Sequence, residues 1–295
     1  MKILLIANPS SGGSEADTVA SIEGILTDSG DVRRLAPSLE GFDLEVTQAA
    51  RDREVVVVAG GDGTFSRVVN ALETRLDELV FALVPTGTGN DLARTLHLPE
   101  DPSEAARIAT GGTERSIDVG RATGAGVQGL FVNACLGGFP VAMNQAVDQD
   151  MKSRLGPLAF WVSGAKVAAN LPRSTVTLNG AEVTDCVAVG VGNGKTSGGG
   201  VRLWPQAAID DGIFDACALP AADAAAAARL ALKVKGGTHA ELDDVEVTTG
   251  PRIEVDSDPP IEMNVDGELI GITTPVTFEL AGRATIKVPT ASLRK

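Results

Sequence analysis

The sequence predicts an α/β nucleotide-binding domain, built on a doubly wound and mostly parallel sheet, followed by an all-β sandwich as a second domain. Short apolar runs alternate with helically spaced apolar residues from the N-terminus to about Gly120. Beyond that point strands separated by turn residues dominate, and Asn179-Gly180 and Asp266-Gly267 carry strong hairpin-turn chemistry. At 295 residues the chain also exceeds the usual size of a single hydrophobic core. We therefore read 1–120 as the first domain and 121–284 as the second, with residues from about 285 to 295 as a candidate return to the first.

The elements follow in order. Lys2–Ala7 is an apolar strand, and Val19, Ile22, Ile25 and Leu26 keep the spacing of one buried helix face. A strand at Asp31–Leu35 precedes a helix with Phe42, Val46, Ala49 and Ala50 on one side. Val55–Ala59 is uninterrupted apolar sequence, as suits a parallel strand covered on both faces. Phe65, Val68, Val69, Leu72 and Leu76 are helical in period, Leu79–Val84 is the next strand, and a short helix spans Leu92–Leu96. In the second domain strands are expected at Leu130–Ala134, Thr175–Leu178, Cys186–Val191, Ile213–Leu219 and Val245–Thr248. Further ones are expected at Ile253–Asp256, Glu262–Val265, Val276–Leu280 and Thr285–Val288, with helix-like insertions at 151–170 and 221–235.

Composition narrows the function. A net charge of -14 opposes a polyanionic partner, because phosphate contacts need clustered Lys and Arg, so nucleic acid is excluded. The three cysteines, Cys135, Cys186 and Cys217, are odd in number and far apart, which gives neither a disulfide framework nor a zinc site and suits a reducing, cytoplasmic setting. The opening run Ile3–Ala7 is shorter than a signal-peptide core, and no stretch reaches membrane-spanning length. A soluble protein that meets membranes only from the surface is expected.

Three loops carry the chemistry. Gly60-Gly61-Asp62-Gly63-Thr64 lies between an apolar strand and a helix, where glycines let a phosphate approach main-chain amides at a helix N-terminus. Asp62 repels phosphate directly, so its useful role there is to hold Mg2+ or a bridging water. The alternative is an ordinary βα turn with Thr64 as a cap. Pro85-Thr86-Gly87-Thr88-Gly89-Asn90-Asp91 repeats the design, with Asn90 or Asp91 available as a plain cap for the helix that follows. Asn8-Pro9-Ser10-Ser11-Gly12-Gly13 is usual turn composition and gains weight from its position after the first strand. All three would project beyond the carboxyl ends of the strands, where ligands of such sheets bind.

Other apparent motifs fail. Gly190, Gly194, Lys195 and Thr196 lack the spacing of a Walker A loop, and Gly124–Gly129 precedes a strand instead of joining a strand to a helix, so it reads as a hairpin. His97 and His239 are isolated, which leaves hydrolase triads and multi-histidine metal sites without support.

Taken in this order, the residues resemble the diacylglycerol kinase catalytic-domain family, which includes bacterial lipid kinases and the sphingosine and ceramide kinases. The likeness continues through Ser116–Gly120, Phe131-Val132-Asn133, Gly192-Asn193, Gly198-Gly199-Gly200, Pro205, Ala207, Asp211-Gly212, Ile213, Asp215 and Val265-Asp266-Gly267-Glu268. The resemblance implies an ATP- and Mg2+-dependent lipid kinase, with its active site in the cleft between a nucleotide domain and a β-sandwich, phosphorylating a hydroxyl of a diacylglycerol-like lipid.

It implies ATP contacts at Asn8, Pro9, Ser10, Ser11 and Gly12, at Gly60, Gly61, Asp62, Gly63, Thr64, Phe65 and Ser66, and at Gly87, Thr88, Asn90 and Asp91. A structural Mg2+ maps to Asp211 with the carbonyls of Ala208 and Ile213, besides the nucleotide-bound ion. The catalytic base maps to Glu268, with Asp266 beside it and Asp62 as the third catalytic carboxylate. A lipid hydroxyl is a poor nucleophile until a carboxylate accepts its proton, which suits Glu268. Two alternatives stay open: an NAD-kinase-like enzyme, which shares the first glycine loop, and a nucleotide-binding regulator without turnover. The second is raised by Ser66-Arg67, which stands where the family commonly has Asn-Glu, and by Gly13-Ser14-Glu15, where a basic residue is usual.

Charge placement adds a partner. Lys152, Arg154, Lys166 and Arg173 are unaccompanied by acidic residues between Met151 and Ala181, and Phe160 and Trp161 lie among them. We read 151–174 as a basic lobe that meets anionic lipid at the inner face of the membrane, or else as a core-facing helix with solvated charges. The oligomeric state is open, a homodimer being one option.

Overall fold

A computed structural model of the chain describes residues 1–7, 13–138 and 173–290. The chain divides into two units, Met1–Val119 with Gly282–Lys295, and Gly120–Ala281.

The first unit begins with β1 (Lys2–Ala7), α1 (Gly13–Thr27), β2 (Asp31–Leu35), α2 (Phe42–Ala50), β3 (Val55–Gly60) and α3 (Asp62–Ala71). It continues with β4 (Val80–Pro85), α4 (Asp91–Thr95) and α5 (Pro102–Gly111). Its strands run in the order β2-β1-β3-β4, all parallel. A strand from the far end of the sequence joins them: within β15 (Val276–Val288), Thr285 and Ile286 pair in parallel with Val80 and Phe81. Ile3, Leu5, Val55 and Val57 pack with Val19, Ile22 and Leu26 of α1 and Ala105, Ala106 and Ala109 of α5. Burial of nearly every residue in β1, β3 and β4 explains why their sequences show no alternation. Phe65 of α3 meets Phe81 of β4 edge-on, and α2 buries Phe42, Val46, Ala49 and Ala50.

The chain passes into the second unit along β5 (Thr113–Gly124), then forms β6 (Val127–Phe131), β7 (Ala134–Gly138), β8 (Ser174–Leu178), β9 (Ala181–Gly192) and β10 (Phe214–Pro220). After α6 (Ala224–Gly236) come β11 (Glu246–Gly250), β12 (Arg252–Asp258), β13 (Glu262–Val265) and β14 (Glu268–Thr273). The strand order is β14-β13-β7-β9-β8-β12-β15, with β10 pairing both β9 and β11. Pairing among these strands is antiparallel. Phe131 centres one core, its ring 5.1 Å from Phe214 and 5.9 Å from Phe278. A second cluster places Leu230 and Val234 of α6 with Leu203, Trp204 and Leu219. Gly192 makes room for that tryptophan, since a Cβ there would lie 2.2 Å from the indole.

Three hairpin turns share one geometry. Ala125-Gly126, Asn179-Gly180 and Asp266-Gly267 have φ of 51° and 77°, 47° and 89°, and 48° and 90°, the doubly positive turn that matches strand twist. The first confirms that the glycine-rich run at 124–129 is a hairpin joining β5 to β6. Several expected boundaries change. Leu130–Ala134 is not one strand, because β6 stops at Phe131 and β7 starts at Ala134. Val276–Leu280 and Thr285–Val288 are instead one long strand, β15. The expected 151–170 helix lies outside the described residues.

Candidate active site

In the first unit the two glycine loops are joined side by side. Gly60 pairs with Pro85 at the ends of β3 and β4, and Thr86 N–H donates to the Gly60 carbonyl at 3.0 Å. Gly61 and Gly87 then pass backbone against backbone: a Cβ on Gly87 would fall 2.6 Å from Gly61 Cα. Only glycine permits that approach.

Asp62 completes the junction. Its Oδ2 accepts the Asp91 backbone N–H at 2.8 Å and its Oδ1 accepts that of Leu92 at 3.0 Å. The carboxylate at the start of α3 therefore caps α4 from across the loop. Neither dull alternative describes this: Asn90 is left-handed at φ 51° and makes no cap bond, its Nδ2 donating instead to the Gly87 carbonyl at 2.7 Å. Asn90 Oδ1 is buried without a hydrogen-bond partner among the described residues. Asp91 is itself buried and lies 3.5 Å from Arg94, whose guanidinium also bonds the Gly89 carbonyl.

The N-cap of α3 is Gly61, which has no side chain with which to cap the helix. The first turn of that helix thus presents main-chain amides beside a glycine cradle that a Cβ would fill, which is the chemistry a phosphate needs. Thr64 packs against Gly60, and a Cβ on that glycine would lie 2.9 Å from Thr64 Cβ. The Phe65 and Ser66 side chains are buried, whereas Thr88 is exposed on the second loop. Arg67 stacks over the Phe42 ring of α2 at 4.0 Å. Asn8, Pro9, Ser10, Ser11 and Gly12 lie outside the described residues.

In the second unit Asp266 and Glu268 have different surroundings. Asp266 is buried, and its carboxylate accepts the backbone N–H groups of Val132 at 2.7 Å, Asn133 at 2.9 Å and Ala134 at 2.8 Å. Those are the residues at which the expected single strand breaks into β6 and β7. The Asp266 carboxylate, expected among the catalytic groups, is thus occupied by three main-chain amides. Glu268 is exposed and opens β14, paired across the turn with Val265.

Sequence reasoning missed the framework behind this turn. The Asn133 carbonyl accepts the N–H groups of Asn193 at 2.8 Å and Gly194 at 3.0 Å, while Asn193 Nδ2 donates to the Val132 carbonyl at 2.8 Å. Asn133 Nδ2 reaches the Thr196 carbonyl at 3.0 Å. The available signal was two asparagines, each ending an apolar run.

The turn to which the resemblance assigns a cation runs through Ala208, Asp211 and Ile213. Asp211 is exposed, its Oδ1 accepting the Ile213 N–H at 3.1 Å, and Ala208 is half-buried between Ala207 and Ile209. Burial, and then the neighbouring Asp211 charge, push the Asp215 carboxyl up to about 6. Two carboxylates that repel one another are hard oxygen donors of the kind Mg2+ takes. Among the described residues no group of three or more His, Cys, Asp and Glu side chains could hold a metal, so carbonyls would have to complete such a site.

Comparison with known proteins agrees with both units. Residues 2–122 match the diacylglycerol kinase catalytic domain, and residues 134–288 match the YegS C-terminal NAD kinase beta sandwich-like domain. A protein named "Probable lipid kinase YegS-like" from Stenotrophomonas maltophilia (strain K279a) is 36% identical over 224 residues, covering 73% of this chain and 72% of its own length. Its namesake from Xanthomonas oryzae pv. oryzae (strain MAFF 311018) is 32% identical over 271 residues, covering 84% and 88%. The crystal structure of a diacylglycerol kinase from Bacillus anthracis str. Sterne aligns with a TM-score of 0.76 at 26% identity, covering 98% of each chain. With a catalytic-domain match, a matching sandwich and relatives over most of its length, the chain belongs to the diacylglycerol kinase catalytic-domain family, among its YegS-like lipid kinases.

Proposed function

We propose that this kinase transfers the γ-phosphoryl group of ATP to a hydroxyl of a diacylglycerol-like lipid at a membrane surface, with Mg2+ as its ion. The observation that carries the reading is the contrast between two helix starts: Asp62 caps α4, while α3 starts at a glycine N-cap, Gly61, beside the Gly61–Gly87 cradle. Such a start favours the charge of a nucleotide phosphate.

Glu268 accepts the proton of the lipid hydroxyl as its oxygen bonds to the γ-phosphorus, while the bond from that phosphorus to the β,γ-bridging oxygen breaks and ADP leaves. Asp62 keeps the two loops in register. Mg2+, when bound, neutralises charge on the phosphates, and Ala208, Asp211 and Ile213 would hold a second, structural ion. The basic residues Lys152, Arg154 and Lys166 lie outside the described residues; their sequence supports contact with anionic lipid.

The test is a labelled-ATP assay with Mg2+ over diacylglycerol, a total lipid extract and NAD, run beside Glu268→Gln. Label in an organic-extractable lipid, lost in the variant while ATP still binds, is the expected result. Label on NAD would favour the small-molecule kinase, and ATP binding without transfer to any acceptor would favour the regulator.

A further inference from the structure

We infer that Asp266 is a positioning residue: its carboxylate, seated on the amides of Val132, Asn133 and Ala134, fixes the main chain from which Glu268 projects. The inference rests on the proposed role of Glu268 as base. The turn does not itself demand an aspartate. A doubly positive turn accepts Asn-Gly as readily as Asp-Gly, and Asn179-Gly180 forms one in this same unit. What demands a carboxylate is the seat, because Asp266 receives three N–H groups on two oxygens. An asparagine would turn an NH2 group toward at least one of those donors.

The seat is rigid for a separate reason. Val132 and Asn133 are held from their other side by Asn193 and Gly194, through the Asn133 and Val132 carbonyls. The Asp266 N–H closes the arrangement by donating to the Ala134 carbonyl at 2.9 Å. The start of β14 is therefore referenced to a segment that is hydrogen-bonded on both sides. The same bonds argue against Asp266 as the base, since taking up a proton would forfeit charge-assisted bonds inside a buried site.

The experiment is a double-mutant cycle on the full chain, using Asp266→Asn, Glu268→Gln and both together, with diacylglycerol vesicles and labelled ATP. Asp266→Asn is expected to lower kcat by about 100-fold, the effect of a misplacement near 1 Å, while the lipid KM and ATP affinity stay within about threefold. Added to Glu268→Gln it should have no further effect on the residual rate, since it acts through the missing group. An unchanged kcat in Asp266→Asn, or an undiminished loss in the Glu268→Gln background, would overturn the inference. Normal turnover by Glu268→Gln would instead remove the base assignment itself. If Asp266→Asn does not fold, amide exchange in the unaltered protein decides: slow exchange at Val132, Asn133 and Ala134 supports the seat, and exchange as fast as in open loops overturns it.

Discussion

The carboxylate of Asp62 accepts the backbone N–H of Asp91, a residue 29 positions away, at 2.8 Å, and so makes one structure of two phosphate-compatible loops. Asp62→Ala should therefore do two things together. Loss of the α4 cap is expected to cost about 1–2 kcal/mol in urea unfolding, and phosphoryl transfer should vanish. A variant of full stability and activity would remove Asp62 from both tasks.

Gly87→Ala tests the cradle without touching a charge. Its new methyl would lie 2.6 Å from Gly61 Cα, so the loops must part at a cost of about 1–3 kcal/mol. ATP affinity, read by calorimetry, should drop. Gly126→Ala is the control: at φ 77° with open space around it, it should lose about 1 kcal/mol and bind ATP normally.

The ion pair between Arg283 and Asp118 links the two chain segments near Val119 and Gly282 within the first unit. Arg283 Nε lies 2.9 Å from Asp118 Oδ1, with the aspartate fully buried and the arginine half-exposed. Arg283→Ala should destabilise the protein by about 2 kcal/mol, less than for a wholly buried pair because solvent screens the guanidinium. Asp118→Asn added to it should recover part of the loss in thermal unfolding.

His239 supplies a pH dependence. Burial pushes its imidazole below the usual histidine range, opposed by a hydrogen bond with the Leu203 backbone. The unfolded chain therefore takes a proton that the folded one resists. The contribution to stability is present above the ordinary histidine range and is lost as pH falls through it. Chemical unfolding between about pH 5 and 8 should show this slope, and His239→Gln should flatten it; an unchanged slope would assign it to other groups.

Much of the first unit was legible because its physics is local. Continuous apolar runs gave β1, β3 and β4, and the face Phe42, Val46, Ala49 and Ala50 is the one α2 buries. Helix α5 escaped because alanines carry a weak apolar period, although Asp101-Pro102 marked its start and the Asp101 side chain does accept the Glu104 N–H. In the second unit the break between β6 and β7 could not be read locally. It is imposed by Asp266, which bonds Val132 from 134 positions away, and such a contact leaves no period in the sequence. The same distance hid the amides that Asp62 holds, which no residue type or local pattern announces. The exposed position of Glu268 beside an Asp-Gly turn, by contrast, follows from the turn itself.

The parallel strand that Thr285 and Ile286 add beside β4 has a consequence for how the protein comes into being. A ribosome delivers residues in order, so β1 to β4 leave the exit tunnel long before their last neighbour has been translated. Until then β4 lacks that partner, and Ala284, Ile286 and Val288, all buried in the finished protein, have yet to arrive. Ending translation before Ala284 would thus damage the amino-terminal part of the chain, the part made first.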